Sequence, residues 1–159
     1  MDYIIRDAVV GDMPQVLTLI EELALFEKEP DAVDVTVEDL IKEGFGEKPL
    51  FHCFVAEINN ELVGLALVYF RFSTWKGRTV HLEDLIVRES MRGSGIGMAL
   101  YKRVMKYGME KGVKRVEWNV LDWNKPAVNF YLKSGAKILE GWQVVQMDEH
   151  GLNAFVSKM

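Results

Sequence analysis

Two strand-like runs, "LFHCFVAEI" and "ELVGLALVYFRF", stand back to back with only Asn59-Asn60 between them. Both are rich in β-branched and aromatic side chains, which suit a pleated surface, and asparagine tolerates the positive φ that a two-residue hairpin turn demands. A chain with this feature must build its sheet around it. A third run, "TVHLEDLIV", follows closely and leads through "RESMRGSGIG" into the helix-like "MALYKRVMKYGMEKG".

The flanking segments extend this pattern. "YIIRDA" reads as a first strand, and Asp12 offers an N-cap, with Pro14 in the first turn, to a helix with its apolar stripe at Val16, Leu17, Ile20, Leu23 and Ala24. Thr36 and Asp39 have the spacing of a capping box, opening a second helix that stops near Gly44. After the glycine loop come a helix over 96–111 ended by Gly112, a strand "KRVEWNVL", a helix from about Pro126 to Ser134, and closing strands "AKILE" and "WQVVQMD". This order predicts an α/β (α+β) fold with a mixed, mostly antiparallel central sheet flanked by helices. No repeat, low-complexity stretch or Pro/Gly/Ser linker interrupts it, so residues 1–159 are expected to form a single domain.

Composition narrows the function classes. With 159 residues, 49% of them hydrophobic, the chain can bury a core without disulfides or metals. The single Cys53 lies in a strand-like run, which suits a core thiol and a reducing compartment. The N-terminus lacks a basic leader followed by an apolar core, and no stretch approaches the length of a membrane span, so a cytoplasmic protein with no membrane partner is expected. A net charge of −5 argues against nucleic acid and suits a cationic small substrate. His52, His81 and His150 are too scattered for metal-ligand spacing, so no metal is expected.

Glycines 93, 95 and 97 give a tight turn with open backbone N–H groups, and the following helix adds the positive end of its dipole. The loop can therefore hold an anion such as a pyrophosphate, although a plain turn would use the same residues. Neither nucleotide fingerprint fits: Met98 and Leu100 stand where the dinucleotide motif needs a small third residue, and the chain has no Gly-Lys pair for a Walker loop.

"RGSGIG" between a strand and a helix resembles the acyl-CoA loop of the GCN5-related N-acetyltransferase (GNAT) superfamily. "GFGEKPLFHCFVAE", "YFRFSTWKGRT", "LEDLIV", "VLDWNKPAVNFYLKSGA" and "EGW" together resemble its diamine acetyltransferase branch. "STWKGRT" with "VLDWN" is most similar to the thialysine N-epsilon-acetyltransferases within that branch. The resemblance spans nearly the whole chain and implies a GNAT fold, an acetyl-CoA-dependent acyltransferase, and a homodimer with active sites near the subunit boundary.

It also implies roles. The backbone of Leu85, Ile86 and Val87 would pair with the pantetheine arm of coenzyme A. The backbone of Gly93, Ser94, Gly95, Ile96, Gly97 and Met98 would hold the pyrophosphate beside Arg92, whose other reading is a solvated loop cation. Asn124 and Pro126 match a second cofactor segment, and Asn124 is equally an ordinary N-cap. Tyr131 matches the proton donor to the departing thiolate; a phenol titrating near about 10 can protonate a thiol titrating near about 8.5 with little loss. Without that context, Tyr131 reads as a core aromatic.

Acetyl transfer to an amine also requires loss of the proton from an ammonium of pKa near about 10.4. Glu83 and Asp84 interrupt the apolar strand before the pantetheine residues, and without partners such carboxylates would cost several kcal/mol to bury. Strand neighbours point to opposite faces, so both serve one substrate only if a bulge re-aims one of them. The resemblance makes Glu83 the acceptor, directly or through water; a salt bridge to a buried cation is the other reading for each. Phe26, Glu27, Trp75, Glu117, Glu140 and Trp142 match the amine channel, where carboxylates and aromatic faces would select an alkylammonium.

These residues predict direct transfer to the primary amine of a small cationic molecule in a ternary complex. In polyamine-acetylating relatives an acidic residue stands two positions before the tryptophan matched by Trp75. Ser73 takes that place here, which tilts the expectation toward thialysine or a lysine-like amine over a polyamine. A non-catalytic acetyl-CoA sensor and a protein lysine or N-terminal acetyltransferase are the alternatives.

Overall fold

In the computed structural model, which describes residues 2–159, the expected hairpin forms the middle of the sheet. Strands β2 (His52–Ile58) and β3 (Glu61–Ser73) pair antiparallel, and Asn59 and Asn60 turn between them with φ of 51° and 66°. β1 (Ile4–Asp7) adds antiparallel to β2, and β4 (Gly77–Val87) antiparallel to β3. β5 (Val116–Glu117) pairs parallel with β4, so the strands lie in chain order across one mixed sheet.

Alternation along the strands supplies two cores. Cys53, Val55, Leu65 and Leu67 face helices α1 (Met13–Phe26) and α2 (Val37–Phe45), where Met13, Val16, Leu19 and Leu40 bury their side chains. Phe54, Ala56, Ala66, Val68, Val80 and Leu82 face Ile96, Leu100 and Val104 of α3 (Ile96–Glu110). Each large aliphatic side chain fully buried in this way contributes about 1.5–3 kcal/mol.

Local signals act as expected at α2, where the Thr36 hydroxyl accepts the Asp39 N–H at 3.1 Å and the Asp39 carboxylate accepts the Thr36 N–H at 3.0 Å. Asp12 departs from expectation. It occupies the N-cap position of α1 but makes no capping bond; it accepts two bonds from Arg6, at 2.7 and 2.9 Å, and the Val9 N–H at 2.8 Å. A charge-assisted fork from Arg6 outcompetes a neutral helix N–H, and Arg6 also reaches Glu57, tying β1 to β2.

This sheet and its three helices lie in one compact unit, Met1–Asn119; Val120–Met159 is a second. The second unit holds α4 (Lys125–Lys133) and α5 (Glu149–Ser157). The expected strands "AKILE" and "WQVVQMD" are not formed, since residues 134–148 contain no strand, and the expected "KRVEWNVL" strand shrinks to Val116–Glu117. Alternating apolar residues specify a strand only where another strand supplies a ladder, and an isolated hairpin is marginal in water; Leu139, Val144 and Val145 are accordingly exposed. α5 lies beyond the last element that the sequence pattern predicts, yet its signal is local: the Asp148 carboxylate caps it, accepting the Gly151 N–H at 2.8 Å.

Candidate active site

β4 breaks its regular pairing at one residue. Val68 faces Leu82 and Leu67 faces Asp84, so Glu83 is an extra residue without a counterpart in β3. This bulge resets the alternation. Before it, His81 lies opposite Tyr69, which packs against the α1 core and donates its hydroxyl to Glu83 Oε2 at 2.8 Å. After it, Asp84 lies opposite Leu67, and Ile86 belongs to the same core. Glu83 and Asp84, adjacent in sequence, therefore share the α1 side of the sheet.

Their surroundings shift the two carboxyls in opposite directions. His81 and Tyr69 hold the Glu83 carboxyl below the usual carboxylate range, outweighing partial burial. Burial pushes Asp84 up to about 6, helped by the negative charges of Glu83 and Glu27. Burial also raises Glu27, at the end of α1. The site thus presents an ionised carboxylate beside one that titrates near neutrality. Behind it, Arg71 Nη1 lies 3.2 Å from His81 Nδ1 and 2.7 Å from Glu117 Oε1, and Arg115 Nε lies 2.8 Å from Glu117 Oε2.

Asp84 has a measurable signature. Because its folded pKa of about 6 lies above the ordinary 3.8, the folded protein holds this proton more tightly than the unfolded chain. Its effect on stability is therefore most favourable at low pH and is lost as pH rises from about 4 to about 6. Asp84→Asn should stabilise the protein above that window by up to about 3 kcal/mol. Thermal melts should show a higher Tm at about pH 7.5 and little change near pH 4; an equal shift at both would mean that Asp84 carries no strained charge.

The glycine loop adjoins the same strand. Gly93 and Gly95 take φ of 78° and 88°, which only glycine adopts without strain, and the Ser94 hydroxyl donates to the Met91 carbonyl. Gly97 needs no such freedom: it lies inside α3, where a Cβ would meet Val87 at an ordinary 3.5 Å. Gly95 caps α3 with no side-chain bond, leaving the first-turn N–H groups of Ile96, Gly97 and Met98 uncapped. β5 pairs with β4 only at Val80 and His81, so the edge of residues 82–87 on that side has no strand partner among the described residues. These two features fit a group with a long hydrogen-bonding arm and a diphosphate. An open cleft of about 570 Å³ is lined by Leu23, Leu25 and Phe26 of α1 and by Ile86, Val87 and Arg92. The Arg92 guanidinium carbon lies 4.6 Å from the centre of the Phe26 ring.

Of the expected site residues, the first unit brings Glu27, Glu83 and Asp84 into electrostatic contact and Phe26 against Arg92. Glu117 has both oxygens matched to arginines, and Trp75 is exposed at the β3–β4 turn. In the second unit, the Asn124 side chain accepts the Ala127 N–H at 3.4 Å, Pro126 sits in the first turn of α4, and Tyr131 lies on α4 edge-on to Phe130. Glu140 and Trp142 are exposed in the segment that follows. Sequence reasoning did not assign site roles to Tyr69, Arg71 and His81. The usable signal was the turn itself: pairing Ser73 with Gly77 fixes a register that puts Tyr69 opposite His81.

The sequence profile of the Acetyltransferase (GNAT) family matches residues 15–136. A thialysine N-epsilon-acetyltransferase of Bos taurus is 41% identical over 165 aligned residues, covering 97% of each chain. A spermidine/spermine N(1)-acetyltransferase-like protein 1 of Homo sapiens is 37% identical over 96% of this chain and 24% of its own length. Among solved structures, an integron cassette protein from V. cholerae superposes with a TM-score of 0.81 over 98% of both chains at 22% identity, a likeness of fold.

Proposed function

Because this chain belongs to the acetyltransferase (GNAT) family and is an amine N-acetyltransferase, we propose that it works as one domain moving acetyl from acetyl-CoA to the primary amine of a lysine-like small molecule such as thialysine. The observation that carries this reading is the bulge, which gathers Glu83 and Asp84 on the α1 side near the charge of Glu27. Three carboxylates around one position favour an ammonium group.

Members of the family use acetyl-CoA, which supplies an acyl group activated as a thioester. The unpaired edge at Leu85, Ile86 and Val87 suits its pantetheine arm; the N–H groups from Gly93 to Met98, with Arg92, suit its diphosphate. Asn124 and Pro126 are assigned to the same group by resemblance. Glu83, kept ionised by its neighbours, holds the substrate ammonium and takes its proton directly or through one water. Acetyl transfer would then form the nitrogen–carbon bond as the carbon–sulfur bond breaks, and Tyr131, assigned by resemblance, would give its Oη proton to the departing sulfur. Phe26, Glu27, Trp75, Glu140 and Trp142 are assigned to the remainder of the amine, whereas Glu117 serves its two arginines. No helix among the described residues is long and apolar enough to cross a membrane. A cytoplasmic homodimer completes the proposal, supported by the buried free thiol of Cys53 and by the family resemblance.

Substrate preference is tested at Ser73. Its hydroxyl oxygen accepts the N–H groups of Trp75 at 3.2 Å and Lys76 at 3.1 Å. An aspartate oxygen can accept the same bonds, so Ser73→Asp adds a charge without undoing the turn. In a thiol-release assay over a panel of amines, kcat/KM should be higher for thialysine than for spermidine, and Ser73→Asp should narrow the gap by raising polyamine activity. Spermidine as the better substrate of the unmodified protein would reassign the amine and leave acetyl transfer standing. Acetyl-CoA binding without thiol release for any amine would favour a sensor.

A further inference from the structure

We propose that His81 is a positioning residue for acetyl transfer, aiming the Glu83 carboxylate at the incoming ammonium while Arg71 fixes its tautomer. This inference rests on the reading of Glu83 as the proton acceptor. His81 is buried, 6% exposed, and charged groups from different strands flank its two ring nitrogens. On one side, Arg71 Nη1 of β3 lies 3.2 Å from Nδ1. A guanidinium only donates, so Nδ1 accepts and the ring proton resides on Nε2. On the other side, Nε2 lies 3.5 Å from Glu83 Oε2, the oxygen that also accepts the Tyr69 hydroxyl at 2.8 Å.

Arg71 is itself held by Glu117, whose second oxygen faces Arg115, so the arrangement is anchored across β3, β4 and β5. A histidine that merely filled space would not need one ring nitrogen matched to a cation and the other facing a carboxylate. The groups facing the pair are Tyr69 and Arg71 from β3 and Glu117 from β5, while Glu27, the C-cap of α1, acts on the adjacent Asp84. The bulge leaves Glu83 without a β3 counterpart. Two side-chain donors on one oxygen then set the direction of its carboxylate, and the loss of either leaves it free to turn.

Glutamine and asparagine separate this role from packing. The amide nitrogen of glutamine reaches as far as Nε2 and can still donate to Glu83, whereas that of asparagine stops at the position of Nδ1. His81→Gln should keep kcat within about threefold, while His81→Asn should lower kcat about tenfold with a smaller change in the amine KM. Both should bind acetyl-CoA as the unmodified protein does. In a Glu83→Gln background, His81→Asn should cost less than about twofold further, because the group that it positions is gone. Equal effects of Gln and Asn, or an undiminished asparagine loss in the Glu83→Gln background, would overturn the positioning role while leaving Glu83 as acceptor. Full turnover of Glu83→Gln alone would overturn the acceptor reading and the positioning role with it.

Discussion

Tyr131→Phe should turn over at about one hundredth of the normal rate or less while acetyl-CoA binds with unchanged affinity. Removing the hydroxyl leaves the ring, which packs edge-on to Phe130 with centroids 5.4 Å apart. It also leaves the Tyr131 carbonyl, which accepts the Ser134 hydroxyl at 2.6 Å and the Ala136 N–H at 3.2 Å. The end of α4 therefore keeps these backbone bonds and this ring contact, and the reaction loses its proton donor. A phenol titrating near about 10 delivers that proton to a sulfur leaving as a thiolate of pKa near about 8.5; without it, the thiolate must depart unprotonated or wait for water. Thiol-release kinetics at saturating amine would give kcat, and calorimetry would give the affinity for acetyl-CoA. Equal turnover in the variant would return Tyr131 to a packing role on α4.

What could be read from the sequence divides by the range over which its cause acts. The Asn59-Asn60 turn, the Thr36–Asp39 capping box and the positive-φ glycines of the 93–95 loop depend on residues a few positions apart, and each forms as expected. Adjacent Glu83 and Asp84 announced that a bulge was needed if both were to serve one substrate, but only the pairing of β3 with β4 fixes its place. Asp12 had a good local reading as a cap and lost it to Arg6, a stronger partner supplied by β1. Glu117 had the residue type of an amine site, yet Arg71, 46 positions earlier, and Arg115 engage it. The apolar alternation after Gly141 lacked the one thing that no local pattern contains, a strand to pair with.

Arg92→Glu should weaken acetyl-CoA binding about 10- to 100-fold, with a much smaller effect on kcat once the cofactor is saturating. Arg92 is exposed beside Gly93, where its Nε lies 3.3 Å from the Val87 carbonyl and its guanidinium carbon 4.6 Å from the Phe26 ring centre. Neither contact is strong enough to hold the fold, so reversing its charge should leave the melting temperature nearly unchanged. The effect on an anion is twofold. A favourable charge becomes a repulsive one, and a carboxylate at position 92 can itself turn toward the uncapped N–H groups at the start of α3, competing for the donors that the diphosphate needs. Calorimetric titration at two ionic strengths separates these contributions from general charge effects. The unmodified protein should lose affinity as salt rises, and the variant should lose less, having no cation there to screen. Affinity unchanged by Arg92→Glu at low salt would mean that the diphosphate lies elsewhere, and that the turn at Gly93 and Gly95 serves only to start the helix.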